Sequence, residues 1–247
     1  MHEHTRRRRR RDNLIAAIGV VVVVLLAVAA QLAYFAAGPG KPATAAKPTP
    51  SPAATTAACP PGADKANTGP VPAPADSECR TWTGSMSLND VKLAFTLDGK
   101  AAPQAVASTV DLIKKGFYTG LACHRLTNGG FYVLQCGDPK GDGTGGPGYS
   151  YGPIENAPKN NVYPAGTIAM ARQGGNAASQ GSQFFIVYKK TTIPADAVGG
   201  YTVIGTITSG LDQLETQITD KGVKAGGSSA NDGAPVVPTK ITSITVQ

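Results

Sequence analysis

Residues 123–138, CHRLTNGGFYVLQCGD, restrict the fold more than any other stretch of this chain. Thr127-Asn128-Gly129-Gly130 is a turn signal, and Val133, Leu134 and the run before Arg125 have strand character, so the stretch is a hairpin. Arg125 and Gln135 stand across that turn from one another. If they share a face, a fork of cationic donors is set beside an amide on the wall of a sheet.

The surrounding chain adds strands faster than helices. In residues 91–98, VKLAFTLD, apolar residues alternate strictly with others, which predicts a strand with one face buried, and Asp98-Gly99 marks a turn. Between Pro103 and Lys115 the period changes: Val106, Val110 and Ile113 recur at helical spacing, with Pro103 in the first turn and Gly116 closing the end. Strands are expected over 183–188, 201–207 and 241–246. A short helix opens with a capping pattern at Ser209-Gly-Leu211-Asp212, buries Leu211, Leu214 and Ile218, and is followed by a Gly/Ser-rich loop at 226–232. Many short strands with two short helices indicate a closed or nearly closed antiparallel barrel.

The amino terminus has a different composition. Residues 14–37 carry no charge, and at ~1.5 Å per residue they are long enough to cross a bilayer. Arg6 to Arg11 precede them, a block that holds the amino terminus in the cytoplasm and sends the rest outward. A cleaved secretory signal is the alternative, since Ala29, Ala30, Ala33 and Ala36 offer small residues for processing. The expected organisation is a cytoplasmic Arg-rich tail (1–12), a transmembrane helix serving as signal anchor (13–37), a disordered extracytoplasmic Pro/Ala-rich linker (38–79) and a folded domain (80–247). The formal charge of +7 lies mostly in the tail, where topology and anionic lipid explain it, which argues against a nucleic-acid partner.

Cys59, Cys79, Cys123 and Cys136 are an even set in a chain expected to meet an oxidising compartment. Pairing Cys59 with Cys79 and Cys123 with Cys136 is the most economical arrangement, and four free thiols are the alternative. No Cys/His spacing indicates a metal site.

The hairpin, the glycine loop GTGGPGY at 143–149, the run GTIAMAR at 166–172 and the run GSQFFI at 181–186 follow one another in an order that resembles the cyclophilins, the peptidyl-prolyl cis-trans isomerases, over roughly 80–247. The resemblance implies a mostly β fold, a closed eight-stranded antiparallel β-barrel capped by two α-helices. It implies isomerisation of X-Pro bonds without a cofactor or metal, on unfolded or exported polypeptides that contain proline. Arg125 falls at the family's catalytic arginine and Gln135 at its groove glutamine. Gln183 and Phe185 match the segment whose second phenylalanine floors the proline pocket, while Met170 and Phe184 read as core. Tyr132 and Val133 fall where pocket-lining residues usually stand, although the longer turn lets Phe131 take the place of Tyr132. Ala171, Arg172 and Gln173 match the stretch that pairs with substrate backbone, and Arg172 adds a charge beside the groove. Tyr201 falls where histidine is common. Near Ile193-Pro194 the tryptophan that contacts cyclosporin is missing, which points away from strong cyclosporin binding. These departures also support an alternative, a cyclophilin-like module that binds proline-bearing partners without turnover; a structural spacer of the cell envelope has only the Pro/Ala linker behind it.

Other signals have plain readings. Gly141-Asp-Gly143-Thr-Gly145-Gly146 fits a dinucleotide pattern, but Pro147-Gly148 follow where a helix should begin. His124 beside Arg125 is a packed histidine, because the chemistry moves no proton. Asp138, Asp142 and Glu155 set turns rather than bind calcium, and Trp82 is core.

Overall fold

A computed structural model of the protein describes residues 26–32 and 66–247. The chain divides into two units, Met1–Ala54 and Thr55–Gln247. In the first, residues 26–32 form a helix with Leu26, Val28 and Leu32 exposed. Among the described residues no helix is long and apolar enough to cross a membrane. The Arg-rich tail, the remainder of the apolar run, most of the linker and Cys59 lie outside the described residues.

The second unit is built on one antiparallel sheet. In chain order its elements are β1 (Thr81–Leu88), β2 (Val91–Asp98), α1 (Pro103–Lys114), β3 (Arg125–Asn128), β4 (Tyr132–Cys136), β5 (Val162–Tyr163), β6 (Thr167–Met170), β7 (Phe184–Val187), β8 (Thr191–Thr192), β9 (Val203–Ser209), α2 (Leu211–Gln217), β10 (Asp232–Gly233) and β11 (Ile241–Val246). The large sheet runs β10-β3-β4-β7-β6-β9-β2-β1-β11, and β5 pairs with β8 apart from it. Eight strands in a closed cylinder were expected; the ladder has nine, with β10 and β11 at its ends. The extra strand arises where a Gly/Ser-rich loop was expected, because Asp232 and Gly233 pair with Thr127 and Leu126. The sheet is strongly curled, since Cys123 and Gly120 donate to the Thr239 and Ile241 carbonyls, joining the chain before β3 to the start of β11.

Alternation decides what each strand buries. On β2, Val91, Leu93, Phe95 and Leu97 all face the core, as their spacing requires. They meet Leu126, Leu134, Ile168, Met170, Phe184 and Ile186 from the other strands, and Val106, Val110 and Ile113 from α1. Each such side chain contributes about 1.5–3 kcal/mol by leaving water. Met170, Phe184 and Trp82 are core, as expected.

Helix α1 begins at Pro103 and ends in a left-handed Gly116, where the N–H groups of Gly116 and Phe117 donate to Ile113 and Leu112. Its first turn has no capping side chain of its own. Instead the carboxylate of Glu155 accepts from the N–H groups of Gln104 and Ala105 at 3.0 and 2.9 Å. The expected capping pattern of α2 is absent: its N-cap is Gly210, which has a positive φ and lies where a Cβ would collide with the Lys92 carbonyl.

Order also begins earlier than Arg80. Thr68 exchanges backbone hydrogen bonds with Ser150, Asn67 donates to Gln104 and accepts from Gly152, and the Trp82 indole donates to Ser77. Short polar side chains thus anchor a stretch whose composition reads as linker. The expected disulfide Cys123–Cys136 is present, and Cys79 is also disulfide-bonded. With a sequence separation of 13, the hairpin bridge restricts the unfolded chain by an amount worth about 3 kcal/mol in loop-closure entropy.

Replacing Glu155 by Gln is expected to destabilise the folded unit by about 1–2 kcal/mol, since an N–H at the start of α1 loses its acceptor. Urea denaturation followed by circular dichroism measures this, and an unchanged midpoint would contradict the capping role.

Candidate active site

Register places one row of residues across five neighbouring strands. Arg125 pairs with Gln135, Gln135 with Phe185, Phe185 with Ala169, and Ala169 with Val203. Side chains alternate along each strand, so this row and the positions two residues away lie on the face opposite the main core. Val133, Tyr163, Ala169, Phe185, Val187 and Ile193 form a second apolar cluster there, with Phe131, Ala171, Tyr201 and Val203 packed at its edge. Phe185 and Tyr201 meet edge to face at 5.4 Å between ring centres.

The guanidinium of Arg125 stands at the border of this cluster, 5.9 Å from the Phe131 ring centre. It donates from Nη1 to Gln135 Oε1 at 3.2 Å. Gln135 in turn donates to Gln183 Oε1 at 2.8 Å, and Gln183 donates to the carbonyls of Gly143 and Gly145, each at 2.9 Å. Each amide therefore accepts on one side and donates on the other, which orients the whole chain of bonds. The glycine loop at its end is held by Asp138, whose carboxylate accepts from the N–H groups of Lys140, Asp142 and Gly143. Asp142 likewise accepts from Thr144, so both carboxylates set turns. That loop, with Gln135, Tyr149, Ala171, Gln173 and Gln183, lines a cavity of about 360 Å³ beside the apolar cluster.

Several expectations need correction. Tyr132 belongs to the opposite face of β4, where it packs edge to face on Tyr188 at 5.8 Å; Phe131 occupies the pocket side in its place, because one residue of shift reverses the face. Arg172 adds no free charge to the groove. Its side chain is 2 % exposed and all five of its donors are taken, by Asp196, Gln173, Gly199 and Gly200. In the 171–173 stretch the N–H groups of Ala171 and Gln173 donate within the fold, to Gln183 and Ser179. His124 is half-buried with Nδ1 unpartnered, and burial lowers its pKa from the ordinary imidazole value.

Sequence reasoning missed Asp232 and Asp196. Asp232 accepts from Arg125 Nε and Nη2, both at 2.7 Å, across a separation of more than a hundred residues. Asp196 accepts from both terminal nitrogens of Arg172 and from the N–H groups of Gly175 and Val198. Local sequence carries no signal for either pairing.

A family model described as "Cyclophilin type peptidyl-prolyl cis-trans isomerase/CLD" matches residues 84–246. The chain belongs to the cyclophilin family. It is 44% identical over 172 residues to a Mycobacterium tuberculosis protein named "Probable peptidyl-prolyl cis-trans isomerase B", a match covering 65% of this chain and 53% of that one. To "Peptidyl-prolyl cis-trans isomerase B" of Bacillus subtilis it is 42% identical over 132 residues, covering 53% and 86%. The chain thus spans about half the length of the mycobacterial relative. Among solved structures, a Cryptosporidium parvum cyclophilin-type peptidyl-prolyl cis-trans isomerase, determined in the presence of the dipeptide Ala-Pro, superposes with a TM-score of 0.54 at 25% identity, covering 67% of this chain and 98% of that one. For a cyclophilin the row from Arg125 to Phe185 is the natural candidate site, with donors at one end and an apolar floor at the other.

Asp196 is expected to keep the Ile193–Tyr201 wall in place through Arg172. Arg172 and two backbone N–H groups hold the Asp196 carboxyl well below the usual carboxylate range. Its stabilising effect is therefore present above the unfolded value of about 3.9 and lost as pH falls through the depressed folded value. Asp196→Asn should raise KM for a proline peptide several-fold while leaving kcat near wild type, which steady-state kinetics would check.

Proposed function

We propose that this cyclophilin is a peptidyl-prolyl cis-trans isomerase that acts on X-Pro bonds of unfolded or exported polypeptides. The observation that carries the reading is the adjacency of the Arg125 guanidinium to the apolar cluster floored by Phe185 and Val133. Rotation about a peptide bond costs about 18–20 kcal/mol because amide resonance is lost. No bond breaks and no proton must move, so the reaction calls for neither nucleophile, metal nor cofactor. The barrier falls if a donor engages the proline nitrogen as its lone pair localises, while the ring is gripped and the preceding carbonyl turns. Arg125 supplies the donor, Gln135 steadies it and keeps one amide hydrogen for a substrate carbonyl, Gln183 orients Gln135, and Phe185, Val133, Phe131 and Tyr201 hold the ring. A millionfold acceleration corresponds to about 8 kcal/mol of preferential transition-state binding. The names of the relatives and the Ala-Pro dipeptide used with the Cryptosporidium protein support this reading.

The same proposal places the isomerase unit outside the cytoplasm, tethered through the apolar run at 14–37. Six arginines ahead of that run support this placement, as do the exposed apolar side chains of helix 26–32 and the Cys123–Cys136 disulfide, which suits an oxidising compartment. Protease added to intact cells should degrade the isomerase unit and leave a cytoplasmic marker whole; protection of both would reject the placement.

Arg125→Ala in the full chain is expected to lower kcat/KM about a hundredfold in a protease-coupled isomerisation assay, with circular dichroism unchanged. Equal activity in the two proteins would reject the role of Arg125. A pure binding module would show NMR shifts on titration with an X-Pro peptide and no gain in its cis-trans exchange rate.

A further inference from the structure

We infer that Asp232 is a positioning residue for Arg125, fixing the guanidinium so that its remaining donors face the proline site; this rests on the isomerase reading above. The guanidinium has five N–H donors. Nε and one hydrogen of Nη2 go to the two oxygens of Asp232, and one hydrogen of Nη1 goes to Gln135. One hydrogen on each terminal nitrogen is left, and these belong to the end of the fork away from the carboxylate. Two-point contact removes rotation about the last side-chain bonds, which a single bond to Gln135 would permit. The side chain of Arg125 is 38% exposed, so packing alone does not hold it. Arg172 makes the contrast clear, since its buried guanidinium keeps no donor for any ligand.

The carboxylate arrives through tertiary structure. Strand β10 adds to the edge of β3, with Asp232 opposite Thr127, two residues along from Arg125 on the same face. The Asn128 N–H donates to Asn231 O, which fastens the loop to the hairpin turn beside the site. Arg125 holds the Asp232 carboxyl below its ordinary value, and Asp232 raises that of Arg125, so both remain ionised at neutral pH. A donor that is fixed before the substrate arrives needs no reorganisation as the amide twists, and its effect falls on the transition state.

The test uses the full chain with an Ala-Pro peptide in NMR exchange experiments below and at saturation. Asp232→Ala should lower kcat about tenfold with KM changed less than about twofold, as loss of a transition-state interaction requires. Asp232→Asn, which keeps an acceptor without the charge, should fall between. In the Arg125→Ala background, Asp232→Ala should have no further effect. A wild-type kcat in Asp232→Ala, or losses that add in the double variant, would overturn the inference. So would a rise in KM alone accompanied by a lowered unfolding midpoint, the mark of a purely structural latch. Should the wild-type chain show no isomerisation, the catalytic reading fails, and the Nε–Hε resonance of Arg125 still decides the positioning claim. Slow exchange of that proton in wild type and fast exchange in Asp232→Ala supports it, and equal exchange in both overturns it.

Discussion

The period of two along a β-strand is the constraint from which the rest of this structure follows. In β3, β4, β7 and β6 successive residues point alternately to the main core and to the outer face. Leu126, Leu134, Ile186 and Met170 therefore build one cluster, while Arg125, Gln135, Phe185 and Ala169 line up on the other side. Core and site are two faces of one ladder. The core that keeps the strands in register is also what keeps the donor and the apolar floor adjacent, because Arg125, Val133, Gln135 and Phe185 all stand on strands.

On this scaffold, two arginines show how burial decides what a residue can do. Arg172 is enclosed, pairs with Asp196 and spends every donor on protein groups, so it braces the wall that carries Ile193 and Tyr201. Arg125 lies at the edge of the apolar cluster, pairs with Asp232 and retains hydrogen-bonding capacity. A buried charge must be fully paired because desolvation is costly, whereas a half-exposed one is completed by water or ligand. The glutamine relay from Gln135 through Gln183 to the Gly143 and Gly145 carbonyls extends this order to the neighbouring cavity, making apolar cluster and polar hollow parts of one surface.

Much of the molecule was legible in advance. Strict alternation over 91–98 marked β2, the helical spacing of Val106, Val110 and Ile113 marked α1, and the Asn-Gly-Gly turn placed Arg125 opposite Gln135. These features depend on neighbours in the chain and on a repeat set by backbone geometry. Between Tyr132 and Phe131 the sequence leaves the choice open, since it does not say at which residue the strand begins, and the fold takes Phe131. Order before Arg80 was missed because Asn67 and Thr68 are anchored by hydrogen bonds to remote residues, with little apolar area to announce them.

By itself, then, the amino-acid sequence determined the hairpin and the alternating strands, which arise from local periodicity and spacing, while the cysteines stayed open between a Cys123–Cys136 bridge and free thiols until the fold brought the two together. Only the tertiary structure decided that Asp232 would meet Arg125, that Asp196 would neutralise Arg172 and that Glu155 would cap α1. Each of these joins groups far apart in the chain. Their energies depend on distance and desolvation in the folded molecule, and a linear pattern encodes neither.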